Sequence, residues 1–241
     1  MTGKGRPIQC SYHFRIQHLS DVKISGTAGR EIGLNSLVNS EPSETSSRIS
    51  RFAVVCVGGS AGSLNAYKAF LEYLPESLGI AVVIVNHVTR SFDKLHEILP
   101  RHTKMPVKLI TDRLRLQPNY VYIIPAKCEL HVFNYEFQLK PISKSRGWPD
   151  VITIFLRSLA RHWNGDLVAV IVSGLDGDGA AALSDIKAVG GITFVQTPDS
   201  AEWSDMPEEA IKTECVDFVL SVKDIALKIA SIATERRHSE E

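Results

Sequence analysis

The sequence predicts an α/β fold: a doubly wound, mostly parallel sheet of the Rossmann-like kind, with a small antiparallel β insert. Three observations predict it. Short apolar runs at 52–57, 80–85 and 167–172 are rich in β-branched residues, as expected of strands buried on both faces. Amphipathic helical patterns alternate with these runs. The middle of the chain breaks that rhythm with short runs separated by turn residues.

Taken in order, the run at 52–57 enters Gly58-Gly59-Ser60-Ala61-Gly62. Leu64, Tyr67, Leu71 and Leu74 then recur at helical spacing until Pro75 closes the helix. Residues 80–85 predict the second strand. Phe92, Leu95, Ile98 and Leu99 predict a helix from about Ser91, limited by Pro100. A short strand follows at 107–110. Residues 121–124, 130–133 and 137–140 read as short strands of the antiparallel insert, with Asn134-Tyr135-Glu136 turning between the last two. Alternation resumes with a helix over 151–163 and a strand over 167–172. A helix after Asp178 carries Ala181, Leu183, Ile186 and Ala188, and Gly190-Gly191 stops it. Further strands are predicted at 192–195 and 218–222, then a last helix from near Lys223 and a polar tail over 235–241. Residues 1–50 have sparse apolar content and a Ser/Glu/Thr-rich stretch around Pro42. They predict a disordered arm and linker, leaving a folded domain over 51–234.

Bulk properties exclude several classes. The 241 residues carry 27 basic and 27 acidic side chains, so there is no basic surplus for nucleic acid or an anionic membrane. No apolar stretch approaches the roughly 20 residues of a membrane span. The basic start, Met1 to Arg6, is followed by no apolar run, which speaks against a secretory signal. Cys10, Cys56, Cys128 and Cys215 are scattered without a Cys-x-x-Cys pair, which fits a reducing cytoplasm rather than a zinc site or a disulfide framework.

The chemistry-bearing residues fall at strand ends. Ser60 sits in a Gly-x-Ser-x-Gly sequence between strand and helix, the setting of a serine nucleophile on a tight elbow. Ala61 follows it, so its N–H is a natural oxyanion donor. Ser60 equally suits a plain helix N-cap. A dinucleotide fingerprint fits poorly, because Ser60 and Ser63 occupy its second and third glycines and the second strand ends in Asn86-His87 rather than an acid. His87 follows that strand directly, where an imidazole serves as general base for a serine. The other histidines lie in helix patterns, the insert or the tails, and none forms a metal-ligand pair. Asp176 and Asp178 lie in the loop 173–179; either suits an orienting carboxylate or a helix N-cap. In a parallel sheet all these ends share one edge. The order Ser, His, Asp along the chain differs from that of α/β-hydrolases.

From about Phe52 to Ile232 the sequence resembles the catalytic domain of the chemotaxis protein-glutamate methylesterases, the CheB type. Gly58-Gly59-Ser60-Ala61-Gly62-Ser63 is similar to the family's Gly-Ala-Ser-x-Gly-Gly, Asn86-His87 to its Gln-His, and 173–179 to its Thr/Ser-Gly-x-x-x-Asp-Gly loop. Residues 117–125, and Gln196 with Met206-Pro207-Glu208-Glu209-Ala210, resemble two further motifs in the same order. The resemblance implies a doubly wound fold, a Ser60–His87–Asp178 triad and oxyanion donors at Ala61 and around Leu175. It implies hydrolysis of glutamate γ-methyl esters on the cytoplasmic helices of methyl-accepting chemoreceptors, with glutamine deamidation as a second activity. No metal, cofactor, nucleic acid or membrane insertion is implied. Arg101-His102-Thr103-Lys104-Met105-Pro106 resembles the branch of the family found fused to receptor methyltransferases, so a separate receptor methyltransferase is an expected further partner; a response regulator is the other, since 1–50 is too short for a phosphoacceptor domain. Three residues depart from the pattern: Ser63 for a glycine, Asp176 where glycine is frequent, and Thr153 where an acid is common. Those departures keep two other readings open, a non-catalytic receptor-associated regulatory protein and a serine esterase or amidase acting on another substrate.

Overall fold

The structure is a computed structural model, and it describes residues 52–87, 94–143 and 149–240. The expected N-terminal arm lies outside those residues. In chain order the first half contains β1 (Val54–Gly59), α1 (Ser63–Glu72), β2 (Ala81–Asn86), α2 (Leu95–Ile98), β3 (Val107–Leu109), β4 (Tyr120–Ile123), β5 (Cys128–Phe133) and β6 (Glu136–Pro141). The second half contains α3 (Val151–His162), β7 (Leu167–Ile171), α4 (Leu183–Ala188), β8 (Ile192–Gln196), α5 (Asp205–Lys212), β9 (Phe218–Leu220) and α6 (Val222–Glu240).

Every residue of β1, β2 and β7 is buried, so these three apolar strands form the middle of the sheet. Seven strands pair in the order β3-β4-β2-β1-β7-β8-β9, all parallel. Side chains alternate between faces along each strand. Val54 and Cys56 of β1 enter one apolar cluster with α3, α4 and α5, while Val55 and Val57 enter the other with α1 and α6. From β1 the chain winds outward through β2; from β7 it winds the opposite way through β8. The reversal falls between β1 and β7, which places a crevice at their carboxyl ends.

One sequence expectation is corrected. Residues 121–124 were expected in the antiparallel insert, but Tyr120–Ile123 forms β4 inside the parallel sheet, between β2 and β3. Val121, Tyr122 and Ile123 are buried as an interior strand requires. The insert is the hairpin β5–β6 alone, turned by Asn134 and Tyr135 at φ 50° and 64°, as a two-residue hairpin turn demands. It lies against α3: Phe137 and Phe155 are fully buried with ring centroids 6.3 Å apart, and the Val132 N–H donates to Ser158 Oγ at 2.9 Å.

Other boundaries differ in detail. The helix expected from Ser91 is α2, continued by a 3₁₀ turn over Leu99–His102 that accepts Pro100 near its start; residues 91–93 lie outside the described set. The helix expected after Asp178 begins with a 3₁₀ turn, Ala180–Ala182. α6 runs on to Glu240, through most of the expected tail.

Phe155 joins α3, the hairpin and the sheet. Phe155→Ala should therefore lower unfolding stability by about 3–5 kcal/mol in urea titration; a loss under about 1 kcal/mol would contradict this packing.

Candidate active site

Three strand ends meet at the crevice. Ser60 follows β1, His87 follows β2, and the loop 172–179 follows β7. The ends of β1 and β7 are joined beyond the ladder: the Val172 N–H donates to the Gly58 carbonyl and the Ser60 N–H to the Ser173 carbonyl, each at 2.9 Å. The chain then turns sharply into α1 through Gly62, at φ 71°. A Cβ there would also fall 2.8 Å from Ser173 Oγ and 2.6 Å from Glu202 Cβ, so glycine is needed for both conformation and space. Ser173 Oγ donates to the Ala61 carbonyl at 2.9 Å and accepts the Trp203 N–H at 3.0 Å. Gln196 Oε1 accepts the Ser173 N–H at 3.0 Å.

Within this frame the hydroxyl, the ring and the acid form a continuous series. Ser60 Oγ lies 3.3 Å from His87 Nδ1, and His87 Nε2 lies 2.8 Å from Asp178 Oδ2. His87 and Asp178 are buried, at 3% and 6% exposure, so the ring is screened from bulk water. When Nε2 carries a proton toward Asp178, Nδ1 presents its lone pair to the serine hydroxyl.

Asp178 is held by more than the ring. Its Oδ2 accepts the Ile152 N–H at 2.8 Å and its Oδ1 accepts the Thr153 N–H at 2.9 Å. These are unpaired donors of the first turn of α3, where the helix dipole also favours negative charge. Thr153 answers in turn: its Oγ1 accepts the Gly179 N–H at 2.8 Å. Gly179 has φ 92°, and a Cβ on it would lie 2.7 Å from Ile171 Cδ1. Thr153, one of the departures from the family pattern, therefore supports the acid directly. Its spacing from Asp178 in sequence gave no sign of that role, because the contact joins a helix start to a distant loop.

Ser63, the second departure, is fully buried. Its Oγ donates to the Ser60 carbonyl at 2.5 Å and accepts from Asn86 Nδ2 at 3.3 Å. The hydroxyl thus ties the elbow to the residue just before His87, a link that glycine could not make.

Asp176, the third departure, reaches the same imidazole. Its Oδ2 lies 3.0 Å from His87 Nδ1, and its Oδ1 accepts the Asp178 N–H at 2.9 Å. Burial by itself pushes the imidazole pKa down, but the hydrogen bonds and charges of Asp176 and Asp178 outweigh it and raise the group to about 9. Ala61 sits in the turn opening α1, and Leu175 is exposed on the rim of the loop. Their N–H groups are placed by the same two segments that place Ser60 and Asp178.

A cleft of about 160 Å³ opens beside the ring, lined by Asn86, His87, Pro125, Lys127, Cys128 and Val151, among others. A larger cavity, about 600 Å³, lies at the opposite end of the sheet along Phe52, Gly79, Asp166 and Arg236, with no serine or histidine in its lining. Among the described residues, no group of three or more His, Cys, Asp or Glu side chains is arranged to hold a metal ion.

A doubly wound sheet with a serine, an imidazole and a carboxylate in sequence at its switch point has the arrangement that serine hydrolases use. The CheB methylesterase family matches residues 55–229, and the chain belongs to that family. It is 32% identical over 180 residues to a Leptospira interrogans relative provisionally named protein-glutamate methylesterase/protein-glutamine glutaminase, covering 73% of this chain and 92% of that one. It is 28% identical over 223 residues to the protein-glutamate methylesterase/protein-glutamine glutaminase of Nitrosospira multiformis, covering 92% of this chain and 63% of that longer protein. Its fold matches the crystal structure of the Thermotoga maritima CheB methylesterase catalytic domain with a TM-score of 0.69, at 24% identity over 75% of this chain and 98% of that one.

Thr153→Val keeps the N–H to Asp178 but removes the acceptor of the buried Gly179 N–H. It should cost about 1–3 kcal/mol of stability in chemical denaturation, and an unchanged midpoint would count against the contact. His87 also makes stability depend on pH. Its folded-state value, about 9, lies above the ordinary 6.5, so its contribution is complete below pH 6.5 and is lost as pH rises through about 9. The stability difference between wild type and His87→Gln, read from urea midpoints between about pH 6 and pH 10, should shrink across that window; a constant difference would contradict the clamp on the ring.

Proposed function

We propose that this chain hydrolyses glutamate γ-methyl esters on the cytoplasmic helices of chemoreceptors, and deamidates glutamine at such positions, using Ser60, His87 and Asp178. The observation that carries this reading is the unbroken series from Ser60 Oγ through the His87 ring to Asp178, in a chain of the CheB methylesterase family.

Ser60 Oγ attacks the ester carbonyl while its proton passes to His87 Nδ1. Asp178 accepts the opposite ring N–H, fixes the tautomer and balances the imidazolium charge. The oxyanion is met by the N–H of Ala61 and by N–H groups of the loop around Leu175. Collapse breaks the bond to the methoxy oxygen, which takes the proton from Nδ1 and leaves as methanol. Water then adds to the acyl-enzyme with His87 again as base, which releases glutamate and restores Ser60. With glutamine the leaving group is ammonia. Receptor helices are the substrate partner in this reading, and a separate receptor methyltransferase or response regulator the further one. A cytoplasmic location follows from that substrate. Among the described residues, no helix is long and apolar enough to cross a membrane.

Ser60→Ala should lower methanol release from a methylated receptor at least about a thousandfold with an unchanged circular dichroism spectrum. Unchanged release would remove the proposal. In the wild-type chain, Ser60 labelled by an organophosphonate while methylated receptor stays inert would point to another ester or amide; receptor binding with neither labelling nor turnover would point to a non-catalytic protein. The base form of His87 is the neutral one, so kcat/KM should rise with pH through about 9. A profile flat from neutral pH upward would contradict the raised proton affinity of the ring.

A further inference from the structure

We infer that Asp176 is a positioning residue which competes with Ser60 for His87 Nδ1 and thereby holds the imidazole out of the base form needed to activate the serine. The inference rests on the hydrolase reading for its consequence, but its physical content lies in the geometry of one ring.

An ionised carboxylate only accepts hydrogen bonds. Asp178 stands 2.8 Å from Nε2 and Asp176 stands 3.0 Å from Nδ1. A neutral imidazole has one N–H. Whichever nitrogen carries it, the other turns a lone pair toward a carboxylate. Both contacts are satisfied together only when both nitrogens are protonated. In that state Nδ1 has no lone pair for the Ser60 hydroxyl, 3.3 Å away. The serine then keeps its proton, whatever the quality of the rest of the site.

The Asp176 carboxylate is held at this place. Its Oδ1 accepts the Asp178 N–H two residues on, a local turn that fixes the side chain over the loop. It is also the more accessible of the two acids, with a side chain 24% exposed against 2% for Asp178. The buried acid is locked to α3, while the outer one sits on the more exposed side of the ring.

The charged and titratable groups around the ring agree with this. Asp176 and Asp178 face it from the loop after β7, and Ser60 faces it from the turn after β1. α3 presents main-chain N–H groups to Asp178. Glu202 packs beside Gly62 on the elbow, while Lys127 and Cys128 line the neighbouring cleft. The raised proton affinity of His87 has Asp176 and Asp178 as its sources, against the opposing effect of burial.

Asp176→Asn removes the charge and keeps an oxygen for the Asp178 N–H; Asp176→Gly removes the side chain altogether. The His87 ring is titrated by NMR in isotope-labelled full-length protein carrying Ser60→Ala, with and without each change. Organophosphonate labelling of Ser60 is followed against pH in the same Asp176 variants with Ser60 intact. Both variants should lower the ring's titration midpoint by at least about one unit and speed labelling at neutral pH about tenfold or more, because one unit is a tenfold change in the neutral fraction. An unmoved midpoint in whichever variant folds would overturn the inference. A lowered midpoint with no gain in labelling would also overturn it, since Asp176 would then not obstruct the serine. Failure of Ser60 to react in any form would instead count against the hydrolase reading, and the NMR titration would still decide the placement of the proton.

Discussion

The carboxylate of Asp178 is shared between the His87 ring and the first turn of α3, and the rest of the site depends on that sharing. A buried negative charge is costly unless several donors meet it. Here two main-chain N–H groups and one ring N–H do so, and the helix dipole adds to them. The arrangement also runs in the other direction. α3 obtains acceptors for its first donors from a distant loop, so the loop and the helix are positioned together. The hairpin β5–β6 holds α3 from outside, through Phe137, Val132 and Ser158. A small antiparallel insert therefore bears on the chemistry without contributing a reacting group.

Much of this was legible in the sequence. Continuous apolar runs located β1, β2 and β7, because strands buried on both faces have few ways to look otherwise. Their ends gave Ser60, His87 and the loop with Asp178, and the parallel sheet brought those ends to one edge. What periodicity missed was pairing. Residues 120–123 sit beside the hairpin in sequence but between β2 and β3 in space, and four residues carry too little pattern to reveal their neighbours. Side-chain to main-chain bonds were also invisible. Thr153, Ser63 and Ser173 look like unremarkable small polar residues until the donors they meet are known. Two of the three departures from the family pattern, Ser63 and Thr153, turn out to reinforce the site. The third, Asp176, adds a second acid to the ring.

The electrostatics of the site are consequently those of one cation between two anions. An imidazole flanked on one side by an acid and on the other by a hydroxyl stays near neutrality and can exchange a proton readily. With an acid on both sides, the protonated form becomes the resting one. Positional accuracy and protonation state are thus set by different residues. Asp178 and its helix fix where the ring is, and Asp176 bears on which form it takes.

The tie made by Ser63 has a mechanical consequence. Its hydroxyl bridges the carbonyl of Ser60 and the side chain of Asn86, and β1 and β2 are already zipped together through Gly59 and Asn86. Alcohol and imidazole are therefore mounted on a single stiff plate. A displacement of either strand end must therefore strain the bonds that also hold the other, which ties the gap between alcohol and ring to the pairing of β1 with β2.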